Sequence, residues 1–198
     1  MTEPIRLGYH GSRELVWDIV LAAGHDKEDI DLIEYPVADP FGPLRRGEQD
    51  AIIAKFTVAE PDLVTGKILG GDPRAAVLAR DHPLAGRDSI SIEELAGAES
   101  FTAPGGMPDY VWDDVVPPKT PGGAPIHRVH DFTTVAELLS LIVDAGAVHL
   151  SLLSIAEVTP ESVVVVPVHD LPPAPVFLGW RSNHAYPEHV RAFIGSLS

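Results

Sequence analysis

The residues of this chain that could do chemistry gather where a strand gives way to a helix or a loop. Tyr9, His10, Gly11 and Ser12 follow an apolar run over 5–8. They precede Leu15, Val16, Ile19, Val20 and Ala23, which recur at helical spacing. Ser12 is therefore a helix cap, a ligand contact or both, because a hydroxyl can cap while neighbouring amides hold an anion. Glu14, in the first turn, would oppose an anion if it faced one. Lys55 and Phe56 end a strand over 51–54 and offer an ammonium beside a ring, or simply an exposed lysine beside a packed phenylalanine. Thr102 and Ala103 end a strand over 100–102, and Thr133 and Thr134 open a helix over 135–145. Each pair is either a polar contact for a ligand or an ordinary strand end and N-cap. His130 closes a strand and His149 interrupts an apolar one, so each is a ligand contact or a satisfied core histidine. A buried histidine would also tie binding to pH near neutrality.

Other chemistries lack their residues. Of nine histidines, His127 and His130 stand three apart, but in a strand an odd separation sends them to opposite faces. No HExxH pattern is present and there is no cysteine, so no metal site, thiolate or disulfide is expected. Asp109, Asp113 and Asp114 flank Trp112; paired carboxylates can do acid–base work, but no nucleophile accompanies them and they read as a solvated acidic face. GxSxG, P-loop and GxGxxG patterns are missing as well. No catalytic residue and no cofactor is expected.

The elements that must position these residues alternate. Strand and helix signals run through 5–8, 15–24, 31–35, 39–47 and 51–54, the order of a parallel sheet covered by helices. A strand over 75–79 follows, and a second set begins after His82-Pro83 with helix 92–96, where Ser91 and Glu94 are spaced as a capping box, and strand 100–102. It continues through helix 110–116, strand 126–129, helix 135–145 ended by Gly146, and strand 147–150. A strand over 163–168 is expected to return to the first set, where a strand over 176–180 would join it, and a helix over 187–197 closes the chain. With 198 residues, 45% apolar and 22% charged, there is material for a real core. Acidic residues outnumber basic ones 29 to 14, and the formal charge of −15 argues against direct contact with nucleic acid phosphates. The start, MTEPIRLGYHG, carries no secretion signal and no apolar run is long enough for a bilayer, so a cytoplasmic protein with no membrane contact is expected.

The stretch AAVLARDHPLAGRDSISIEELAG (75–97) resembles the effector-binding domain of LysR-type transcriptional regulators, where an HPLA turn leads from one subdomain to the next. GEQDAII (47–53), DFTTVAELLSLIVDAGAVHLSLLS (131–154) and PVFLGWRSNH (175–184) resemble further family segments in the same order. The resemblance implies an α/β fold of the type 2 periplasmic-binding-protein-like kind, with two Rossmann-like lobes joined by two crossover strands. Lobe I would hold 1–79 and 168–198 and lobe II 80–167, with a ligand cleft between them. It further implies a small-molecule effector, taken here as an anionic carboxylate, and assembly as a homodimer. Effector contacts are expected at the residues named above. The family's DNA-binding helix-turn-helix is not in this sequence, so the chain is expected to be an excised sensor or a stand-alone domain beginning at Met1. The alternative is a stand-alone enzyme on the same fold, for which His10, His130 and Asp131 would be the first acid–base candidates. Export as a solute-binding protein is disfavoured by the same lack of a signal.

Overall fold

Strand periodicity and one ionic latch build the first sheet. In β1 (Ile5–Tyr9), Ile5, Leu7 and Tyr9 are buried while Arg6 is half-buried on the other face. Arg6 is held by Asp50: its backbone amide donates at 3.0 Å and its guanidinium at 2.6 and 3.2 Å. The same guanidinium donates to the Gly47 carbonyl at 2.6 Å. Gly47 adopts a φ of 73°, which a side chain would strain. The GEQD segment thus fastens the start of β3 (Ala51–Ala54) against β1. Gln49, fully buried, lies over Gly8, where an added Cβ would sit 2.4 Å from its Oε1.

The computed structural model describes residues 3–198, and the chain divides into two compact units, Met1–Gly71 with Pro175–Ser198, and Asp72–Ala174. In the first, β2 (Ile30–Glu34), β1, β3, β10 (Ala174–Arg181) and β4 (Leu63–Asp72) form a five-stranded sheet in that order. β1 runs parallel to β2, from Ile5 opposite Ile30 to Tyr9 opposite Glu34, and parallel to β3. β10 is antiparallel to β3. Parallel neighbours need a crossover, and α1 (Arg13–Ala22) supplies the one between β1 and β2. Val16 and Val20 of α1 and Phe193 and Leu197 of α5 (Glu188–Leu197) are buried with Leu7, Ile53 and Leu178 in one core.

In the second unit, β5 (Arg74–Ala79) is buried along its whole length between antiparallel β8 (His149–Leu152) and β9 (Val163–Pro167). β6 (Glu99–Phe101) and β7 (His127–His130) form a parallel pair, and the Val148 amide donates to the Glu99 carbonyl at 2.8 Å, tying β8's start to β6. α3 (Asp109–Val115) and α4 (Val135–Ala145) complete it; α4 ends at Gly146 with φ 68°.

Several expectations shift. The chain passes between units at 71/72, inside β4, and at 174/175, inside β10, rather than at 79/80 and 167/168. β9 does not return to the first unit, because Ala79↔Val163 to Ala75↔Pro167 pair it with β5. The helix expected over 39–47 shortens to α2 (Gly42–Arg45), with Phe41 at the cap position and Asp39 accepting from the Gly42 amide at 2.9 Å. The segment Ile92–Leu95 is a 3₁₀ turn, and it carries the Ser91–Glu94 capping box in full.

Candidate functional site

The register of the first sheet brings the carboxyl ends of β1, β2 and β3 to one edge, which is where ligands meet helix N-termini in such sheets. Ser12, 1% exposed, caps α1 by accepting from the Leu15 amide at 3.1 Å. Gly11 has φ 74°, and its amide donates to Glu34 Oε1 at 3.2 Å. His10 stacks on Tyr35, with ring centroids 5.8 Å apart, and its Nδ1 lies 3.1 Å from the Tyr35 carbonyl and 3.7 Å from Glu34 Oε1. Burial pulls the His10 pKa below the usual imidazole value, and the positive charge of Lys55 adds to the fall. The Tyr35 carbonyl and Glu34 pull the other way and are outweighed. His10 and Lys55 are therefore close enough to feel each other. Tyr9 is buried under the Arg13 guanidinium, which lies 5.9 Å from its ring centre. Phe56 is 7% exposed and meets Phe41 edge-on at 5.9 Å, a packed ring.

The second unit gathers its candidates at the ends of β6 and β7. The Thr102 amide donates to the His130 carbonyl at 2.9 Å, and its hydroxyl donates to Asp131 Oδ1 at 2.6 Å. Ala103 follows, half-buried. His130 Nε2 lies 3.0 Å from Glu99 Oε2. Thr134 caps α4 by accepting from the Glu137 amide at 3.2 Å. Glu137 in turn accepts from the Thr133 amide and hydroxyl, both at 2.9 Å, and these bonds hold its carboxyl below the usual range. His149, 6% exposed, lies in an aromatic cluster: stacked on Trp112 at 5.8 Å and edge-on to Phe101 at 5.7 Å. Its Nδ1 has no partner among the described residues, and burial pushes its pKa down to about 3. It is a neutral core histidine. Trp112 is core too, donating to the Phe101 carbonyl at 3.0 Å, while Asp113 pairs with Arg128 at 2.6 Å and Asp114 serves Arg74.

Four carboxylates of the chain itself thus sit on the groups that sequence reasoning offered to an anion: Glu34 on Gly11, Asp131 on Thr102, Glu137 on Thr133 and Glu99 on His130. Asp131 drew attention in the sequence as an acid–base candidate, and Glu137 as the partner of Thr134 in a capping box. The signal for the rest was the acidic excess, 29 residues against 14, which leaves carboxylates available at many loop ends.

Among the described residues no helix is long and apolar enough to cross a membrane. No curated protein matches the sequence. Solved structures do. The effector-binding domain of QuiR in complex with shikimate is 18% identical, with TM-score 0.72, over 100% of this chain and 96% of that one. The BenM effector-binding domain with its effector benzoate is 16% identical, with TM-score 0.71, over 100% and 91%. CbnR, a LysR family transcriptional regulator, is 13% identical, with TM-score 0.75, over 98% of this chain and 68% of that chain. These likenesses fix the fold as type 2 periplasmic-binding-protein-like. The model of the LysR substrate binding domain, a regulatory rather than an enzymatic family, matches residues 21–198. Fold, element order and family model agree, and the chain belongs to the LysR substrate-binding domain family.

Proposed function

We propose that this chain binds a small carboxylate as the effector of a LysR-type regulator and releases it unchanged. The observation that carries the reading is the meeting of Tyr9–Ser12, Lys55 and their neighbours at the carboxyl edge of β1 and β3, in a chain of this family. Lys55 supplies the charge for the carboxylate. Shikimate, in complex with the QuiR domain, and benzoate, the effector of BenM, are both ring carboxylates and support the class. Within the second unit, taken by itself, Thr102, Ala103, His130, Thr133 and Thr134 are proposed as ligand-contacting residues. Phe56 and His149 act from the packed interior, shaping the site rather than touching ligand. A thermal-shift and calorimetric screen of ring carboxylates tests this: a ligand should bind saturably, and Lys55→Met should weaken it about tenfold, the scale of a charge-assisted hydrogen bond. Full affinity in Lys55→Met would remove Lys55 from the site.

We further propose a homodimer in the cytoplasm, with DNA contact made outside this chain. Exposed apolar side chains support self-association: Leu21 on α1 is 47% exposed, Val129 on β7 56% and Val143 on α4 43%.

A further inference from the structure

Arg6, Arg45, Arg46, Arg74, Arg87 and Arg128 each hold a carboxylate. Arg181, half-buried at the end of β10, holds none among the described residues, although the chain has acids to spare. Its guanidinium lies 5.6 Å from the centre of the Tyr186 ring, and its amide donates to the Tyr186 hydroxyl at 3.0 Å. Its Nε is sealed from solvent with no acceptor among the described residues. A partly dehydrated cation without a counter-ion gains more from an anion than one in open water does. Arg181 lines a cavity of about 540 Å³ with Arg45, Asp62, Ser182, Asn183 and His184. The acceptors on that wall are spent. Both Asp62 carboxylate oxygens take bonds from Arg45, at 2.7 and 2.8 Å, and Glu60 Oε2 takes a third at 2.6 Å. The Asp62 carbonyl accepts from the Ser182 amide at 2.9 Å and from its hydroxyl at 3.2 Å. Donors are left over: Nη1 of Arg45, the Nη fork of Arg181 and the Asn183 amide have no partner among the described residues. Such a fork matches two oxygens of one carboxylate or phosphate. Arg45 and Arg181 offset Asp62 and Glu60, so an anion is held here by donors at contact and not drawn from a distance.

We propose that Arg181, Arg45 and Asn183 form a second ligand site, for a small organic carboxylate or a phosphate, at the amino edge of the first sheet. β10 runs antiparallel to β3, from Phe177 opposite Ala54 to Gly179 opposite Ile52. Its last residue, Arg181, therefore lies at the other end of the sheet from Ser12 and Lys55. The cavity is of the size that holds a small metabolite. This site stands or falls independently of the effector contacts proposed at Tyr9–Ser12 and Lys55.

The test titrates citrate and inorganic phosphate separately into the full chain at constant ionic strength, by calorimetry and by amide NMR. At least one should bind saturably and shift the amides of residues 182–184, and which of them binds separates the carboxylate source from the phosphate. Arg181→Met should weaken that binding about tenfold, the scale of a charge-assisted hydrogen bond, while Lys55→Met leaves it unchanged. If Arg181→Met lowers the melting temperature, Asn183→Leu on its exposed loop carries the test and should weaken binding severalfold. Affinity unchanged in both Arg181→Met and Asn183→Leu would overturn the site. So would shifts confined to residues 9–12 with binding lost in Lys55→Met, since the anion would then sit at the effector contacts. Failure of both probes to bind saturably would overturn it as well.

Discussion

His149 shows how far one residue's meaning depends on what surrounds it. In sequence it is a histidine in an apolar strand, open to a ligand role or a core role. Phe101, Trp112 and Phe132 resolve this, and no spacing rule could have placed those rings, since they arrive from different elements. The folded pKa of about 3 lies below the ordinary 6.5, so the native state refuses a proton that the unfolded chain accepts. The resulting stability is complete above pH 6.5 and is lost as pH falls toward 3, by roughly 4–5 kcal/mol. Urea unfolding of wild type and His149→Phe at a series of pH values checks this. The variant should lose less stability between pH 6.5 and 3, and parallel curves would contradict the assignment. Ser12 and Thr134 were legible as caps because capping needs only a local hydroxyl, and both accept the bond expected of a cap. Glu34 and Tyr35 were not legible as partners of His10. Their contact is set by the parallel register of β1 and β2, a tertiary fact.

Elements were easiest to read where a local signal ends them. α4 matches its expected range because Thr134 caps it and Gly146 stops it. β4 went unread: Gly66, Gly70 and Gly71 look like breakers, and as an edge strand it leaves Val64 and Ile68 exposed, so the apolar alternation is weak. Missing β4 is also why the joints between units were placed several residues late and early. The GEQD segment matched a family pattern, and its chemistry is structural, since Asp50 holds both the backbone and the guanidinium of Arg6. We expect Asp50→Ala to destabilise the fold by about 2 kcal/mol, as loss of charge-assisted bonds does. Denaturant titration reads this directly, and an unchanged midpoint would show that the latch contributes nothing. Gly146→Ala should cost about 1 kcal/mol, because φ 68° is left-handed backbone.

At the scale of the molecule, a formal charge of −15 sets what the chain can approach. Phosphate backbones are repelled, and local groups such as Lys55 must act at short range against that field. The order of elements was legible because strand and helix signals alternate, while the topology came from the family resemblance; the partner was not legible, because assembly depends on exposed side chains scattered through the sequence. Light scattering should give a dimer at micromolar concentration, and Val129→Asp should shift it to monomer with the melting temperature retained. A wild-type monomer at all concentrations would contradict the dimer. The most direct test of the central claim is calorimetric titration with ring carboxylates, followed by NMR of the recovered ligand. Saturable binding with the ligand returned unchanged is the expected result. Chemical conversion of the ligand, or no saturable binding by any member, would contradict the assignment as an effector sensor.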